Sequence, residues 1–67
     1  MSADVEIRNE GSLVTFRPVT WAGRAWIDEH VTSEEWQWLG SALCVETRYA
    51  GDIIEGMTNE GLEVEEL

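Results

Sequence analysis

The only histidine in the chain, His30, follows Asp28 and Glu29, and Glu34 comes four residues later. An imidazole among carboxylates is the minimum equipment for general acid–base chemistry or for holding a metal. The spacing argues against both. On a helix Asp28, Glu29 and His30 fan out over about 200° instead of converging. His30 and Glu34 are separated by Thr32, which reads as a helix cap that breaks the helix between them. The attraction of a helix C-terminus for a partly charged imidazole accounts for His30 without catalysis. Cys44, the single cysteine, lies in the apolar run Ala42-Leu43-Cys44-Val45 and reads as a small buried hydrophobe. One cysteine forms no internal disulfide, which suits a reducing cytosol. No glycine-rich phosphate loop, CxxC pair or serine-nucleophile motif is present. The expectation is therefore a protein that is not an enzyme and carries no cofactor or metal.

The remaining chemistry is that of carboxylates. Fourteen acids face four arginines and no lysine, for a formal net charge of −10 over 67 residues. Such a surface repels nucleic acid and anionic lipid and attracts basic proteins. Acidity also keeps small proteins soluble, which is the plainer explanation. Duplex DNA carries one negative charge per roughly 1.7 Å of axis. A rigid domain with Asp52 and Glu55 on one helix, and Glu46, Glu63, Glu65 and Glu66 along strands and tail, can offer a comparable anionic surface to a basic groove built for phosphates. These six residues are the candidate partner-binding set. No stretch approaches 18 consecutive apolar residues, and no basic segment precedes an apolar one at the start. The cytoplasm, without membrane contact, is the expected location.

Positioning those side chains takes a small set of elements. Val5-Glu6-Ile7-Arg8 alternates apolar and charged as a half-buried strand does, and Leu13 to Arg17 reads as a second strand. A turn about Glu10-Gly11 would set Ile7 opposite Val14 and Val5 opposite Phe16, with Asp4 opposite Arg17, and would put all four apolar residues on one face. Met1 to Asp4 reads as a loose start. Pro18 ends the second strand, and Thr20 caps a helix from Trp21 to about His30 with a buried stripe of Ala22, Ala25 and Trp26 and with Ile27 or Val31 at its edge. Thr32 and Glu35 have the spacing of a capping box, flanked by Val31 and Trp36 as a hydrophobic staple, so a short helix is expected to run to Leu39 and stop at Gly40. A strand over Ala42–Glu46 follows. Tyr49, Ala50, Ile53, Ile54 and Met57 then recur at helical spacing, and Gly61 with Leu62 reads as the stop of that helix. Leu62-Glu63-Val64-Glu65 alternates again as a last strand.

The order strand, strand, helix, short helix, strand, helix, strand predicts a single α+β domain, with a small antiparallel or mixed sheet carrying its helices on one face. The carboxylates of Glu6, Glu46, Glu63 and Glu65 would then gather on the open side of the sheet, partly offset near the hairpin by Arg8 and Arg17. A chain this short buries only about 60% of its unfolded surface. Its four tryptophans, each able to bury roughly 150–250 Å², substitute for a larger core, and one or two of them could instead anchor a partner.

Two stretches carry a resemblance. Phe16 to Val31 (FRPVTWAGRAWIDEHV) resembles the first half of short phage and prophage proteins of unknown role. Val45 to Met57 (VETRYAGDIIEGM), continuing to Gly61-Leu62, resembles their second half. In size, acidity and phage-like character the chain is similar to anti-CRISPR proteins, particularly small inhibitors of the type I surveillance complex. The resemblance contains no catalytic motif. It implies a phage-encoded inhibitor that binds a basic, nucleic-acid-binding host protein in the host cytoplasm and blocks DNA access. The alternative is a small acidic structural or assembly protein, monomeric or homodimeric, with no inhibitory role.

Overall fold

The computed structural model of the chain describes residues 3–31 and 37–67. In chain order the elements are β1 (Val5–Asn9), β2 (Leu13–Pro18), α1 (Trp21–His30), β3 (Trp38–Leu39), β4 (Ala42–Glu46), α2 (Thr47–Asn59) and β5 (Val64–Glu66). The five strands form one sheet in the order β3-β4-β2-β1-β5. All neighbours are antiparallel except β1 and β5, which run parallel, so the sheet is mixed. Val5, Ile7, Val14, Phe16, Leu43 and Val45 form a core cluster with Ile27 of α1 and Ala50 and Met57 of α2. Both helices therefore cover the same face, and the fold is the expected α+β class.

The β1–β2 hairpin keeps its faces but not its expected register. Ile7 stands opposite Phe16, Val5 opposite Pro18 and Asn9 opposite Val14, a displacement of two residues. The Glu10 N–H donates to the Leu13 carbonyl (2.8 Å), which leaves Gly11-Ser12 as the turn. Asn9 Oδ1 accepts the Gly11 N–H at 2.8 Å and fixes the chain reversal there. A slip of two preserves the side each residue faces, so the apolar set still meets the core.

Three other expectations are corrected. Ala22 and Ala25 are exposed, and the buried residues of α1 are Gly23 and Ile27, with Trp26 half-buried beside them. Trp38–Leu39 pairs with β4 as a strand in place of the end of a short helix; the Thr32–Glu35 capping box and Trp36 lie outside the described residues. Cys44 is half-buried, because alternation turns it with Ala42 toward the open face of the sheet and gives the core Leu43 and Val45. The stop of α2 matches its expectation. The Gly61 N–H donates to the Thr58 carbonyl (3.0 Å) and the Leu62 N–H to the Met57 carbonyl (3.0 Å). This is the doubled bond of a Schellman motif, with glycine at φ +84° where a side chain would be strained.

Of the expected loose start, Met1 and Ser2 lie outside the described residues, and Ala3 and Asp4 are held in place. Ala3 is buried, and Asp4 is a junction of three elements. Its Oδ1 accepts the Thr20 hydroxyl (2.7 Å) and its Oδ2 the Glu63 N–H (2.9 Å). Its own N–H donates to the Glu63 carbonyl (2.8 Å), and its carbonyl accepts the Val19 N–H (2.8 Å). Thr20 Oγ1 in turn accepts the Gly23 N–H (3.2 Å) as the cap of α1. Helix and strand approach so closely here that a Cβ at residue 23 would lie 2.3 Å from the Asp4 carbonyl oxygen. Gly23 is thus required, although glycine inside a helix costs about 1 kcal/mol relative to alanine.

Two stability predictions follow from this geometry. Gly23→Ala should lose about 1–3 kcal/mol by overpacking in spite of its better helix propensity. Gly51→Ala, in the exposed interior of α2 with open space around it, should gain about 0.5–1 kcal/mol. Urea midpoints check both, and a Gly23→Ala midpoint at or above wild type would rule out the close approach. The second concerns Asp4, whose carboxyl the Thr20 hydroxyl and then the Glu63 amide hold below its ordinary value of 3.8, against an opposing push from burial. Its stabilising contribution is full above the unfolded-state value and is lost as pH falls through the lower folded-state value. Asp4→Asn should therefore melt below wild type at neutral pH, with a gap that narrows as pH drops below 3.8. A gap independent of pH would show that the ionised form is not what binds the junction.

Candidate protein-binding surfaces

Each of the six carboxylates singled out in the sequence is exposed, but the fold does not bring them together. Asp52 and Glu55 project from α2 on the side away from Ala50 and Met57, so they belong to the outside of the helical layer. Glu65 is in register with Glu6 and shares the opposite, open face of the sheet. Glu66 is in register with Ile7, and Glu63 has its backbone committed to Asp4 and Val5 at the entry to β5. Glu46 immediately precedes α2, makes no side-chain cap bond, and pairs with Arg48 at 3.5 Å.

The open face is also less acidic than expected. Arg17 lies opposite Glu6 and donates to Glu6 Oε1 from Nε (3.1 Å) and Nη2 (2.6 Å). A row of Arg17, Glu6 and Glu65 crosses three strands there, with Arg8 beside Thr15 one step nearer the hairpin turn. The displaced register brings Arg17 to Glu6 in place of Asp4, and so makes this face one of mixed charge. Arg24 pairs with Asp28 at 3.1 Å on α1. Among the described residues, Asp52, Glu55, Glu63, Glu65 and Glu66 have no arginine within ion-pair distance. Carboxylates on a short edge strand such as β5 also guard the sheet against pairing with another chain.

The tryptophans have separate environments. Trp21, first residue of α1, is 87% exposed. Trp26 packs on the core and tilts against His30 with ring centroids 4.8 Å apart. Its indole N–H is buried without a partner among the described residues. Trp38 is half-buried beneath the Arg24 guanidinium, 4.3 Å from the ring centroid.

A concave site that the carboxylate pattern did not announce lies where the end of α1, the first turns of α2 and one end of β2 and β4 meet. Leu13, Val31, Val45, Tyr49 and Ile53 line this cleft of about 640 Å³. Tyr49 was expected in the core stripe of α2 but is 50% exposed, because it lies beyond the sheet's end on the first turn. The available signal was Leu13, an apolar residue in strand alternation with Thr15 and Arg17. Among the described residues, no group of three or more histidine, cysteine or acidic side chains is placed to hold a metal ion. No helix among them is long and apolar enough to cross a membrane.

No protein family model, curated protein or solved structure matches the chain.

The contrast between two tryptophans is testable. Trp21→Ala should leave stability within about 0.5 kcal/mol, as for an exposed site without partners. Trp26→Ala should cost about 3 kcal/mol, the low end for a large aromatic, since Trp26 is half-buried and its orphan N–H is removed with it. Thermal melts of the two variants check this, and equal losses would contradict the placement of Trp21.

Proposed function

We propose that the chain is an inhibitor that docks on the basic, nucleic-acid-binding surface of a host protein and keeps DNA from it. In its specific form it is a phage-encoded anti-CRISPR protein, and the target is a type I surveillance complex. The observation that carries the reading is the set of exposed carboxylates with no arginine at ion-pair distance among the described residues: Asp52 and Glu55 on α2, and Glu63, Glu65 and Glu66 at the β5 edge. Unpaired charge on a framework of net charge −10 steers a small protein toward a phosphate-binding groove. Because these carboxylates form two surfaces, one of them makes the contact. Asp52 and Glu55 are the stronger choice, since they lie about one helical turn apart on a well-formed helix and have no edge-guarding role.

A self-assembling structural protein, the alternative reading, would be favoured by tryptophans joined in one exposed self-complementary patch. Trp21 stands exposed at the start of α1, whereas Trp26 and Trp38 are half-buried. Among the three described tryptophans, that arrangement supports a single anchor better than a self-complementary face.

The test is binding to the purified type I complex, with and without duplex DNA, at low and high salt. Duplex DNA should compete, and binding should weaken as salt rises. The double variant Asp52→Lys, Glu55→Lys should bind at least tenfold more weakly, a change of about 1.4 kcal/mol, while melting like wild type. Glu63→Lys with Glu65→Lys probes the second surface in the same way. No competition by DNA, together with unchanged affinity in both folded variants, would refute DNA mimicry.

A further inference from the structure

Leu13 and Tyr49 are 42% and 50% exposed, and both line the cleft between the end of α1, the start of α2 and the end of β2 and β4. Its volume of about 640 Å³ falls within the range of sites that receive side chains or small ligands. Ile53, one helical turn after Tyr49, and Val31 at the end of α1 continue the apolar lining. Large apolar groups left half in water around a concavity mark a docking site more specifically than scattered surface hydrophobes do.

Charge around the cleft selects the occupant. Glu46 is part of the lining. Asp52 lies about 60° around α2 from Tyr49 at 100° per residue. Glu29 stands 4.0 Å from His30, another lining residue. Against these three carboxylates stands one guanidinium, Arg48, which pairs with Glu46 at 3.5 Å and lies over the Tyr49 ring at 4.9 Å from its centroid. His30 adds charge only when protonated.

We propose that this cleft is the anchoring site for the partner: a protein segment that inserts one or two apolar side chains between Leu13, Tyr49 and Ile53 and carries lysine or arginine on either flank. The inference rests on the reading of a basic protein partner and names the surface that holds it. Exposed carboxylates contribute chiefly to encounter rate and orientation, whereas a desolvated apolar anchor sets residence time. The basic flanks of the segment meet Glu46, Asp52 and Glu29, and its apolar residues remove Leu13 and Tyr49 from water. An acidic segment of the same apolarity is repelled by the rim and by the net charge of −10.

Two synthetic peptides of ~14 residues, about four helical turns, serve as probes. One places leucines at the i, i+3, i+4, i+7 spacing of one helix face with lysines elsewhere; the other keeps every lysine and replaces each leucine by serine. Binding is measured on the whole chain by titration calorimetry, and the contact is mapped by amide chemical shifts. The leucine–lysine peptide should bind at least tenfold more tightly than the serine–lysine peptide, with shifts concentrated at Leu13, Tyr49 and Ile53. Tyr49→Ser and Leu13→Ser, both at solvent-facing positions and both checked by melting, should each remove most of that advantage. Equal binding of the two peptides would overturn the cleft and leave the basic-partner reading standing, as would an advantage that survives in both folded variants. Failure of both peptides to bind at low salt would overturn both readings together.

Discussion

The fold hangs on the Asp4 carboxylate. One of its oxygens takes the hydroxyl that caps α1 and the other takes the amide that opens β5, while its own peptide group is bonded to both neighbouring segments. Three chain segments far apart in sequence are thereby held at one corner of the sheet. Gly23 belongs to the same constraint, because only a residue without Cβ lets α1 settle against that strand. A domain this small has little apolar area to spare. A charge-assisted hydrogen-bond cluster that also fixes a helix terminus is an efficient way to specify its geometry.

Charge and packing are divided between the two sides of the sheet. The helical side takes the apolar residues of all three longer strands, and the open side carries an ion pair, a half-buried cysteine and small polar groups. The arginines serve largely as local partners, for Glu6, Asp28 and Glu46, and two of them also lie over aromatic rings. Apart from Arg8, the exposed charges without an ion partner among the described residues are acidic. The large apolar exceptions among the described residues, Leu13, Val19, Trp21, Leu39, Tyr49 and Leu67, lie at or near the ends of elements, where packing against the sheet gives out.

Much of this fold was legible in the sequence because it follows from periodicity and local chemistry. The alternation of Val5-Glu6-Ile7, the Thr20 cap and the Gly61-Leu62 stop each depend on neighbours within a few residues, and each formed as read. The misreadings share one origin, which is contact across the fold. Register in the first hairpin depended on which pair of residues closed the turn. The buried stripe of α1 rotated from the alanines to Gly23 and Ile27 because the helix packs on Asp4. Trp38–Leu39 became a strand because β4 offered an edge. The six carboxylates were legible as exposed residues, but their division between two faces follows from the layer to which each element belongs. The apolar cleft was still less visible, because it is assembled from four separate segments.

The parallel placement of β5 beside β1 has a kinetic consequence. The bond from Glu63 to Asp4 joins residues 59 apart, nearly the full span of the chain. Loop closure over such a distance is an entropic toll met before the contacts that reward it exist. As the polypeptide emerges from a ribosome, β1, β2 and α1 can assemble early, yet the corner at Asp4 stays incomplete until residue 63 is free. The corner therefore closes only once the segment that carries β5, a strand of three residues, has joined the sheet beside β1.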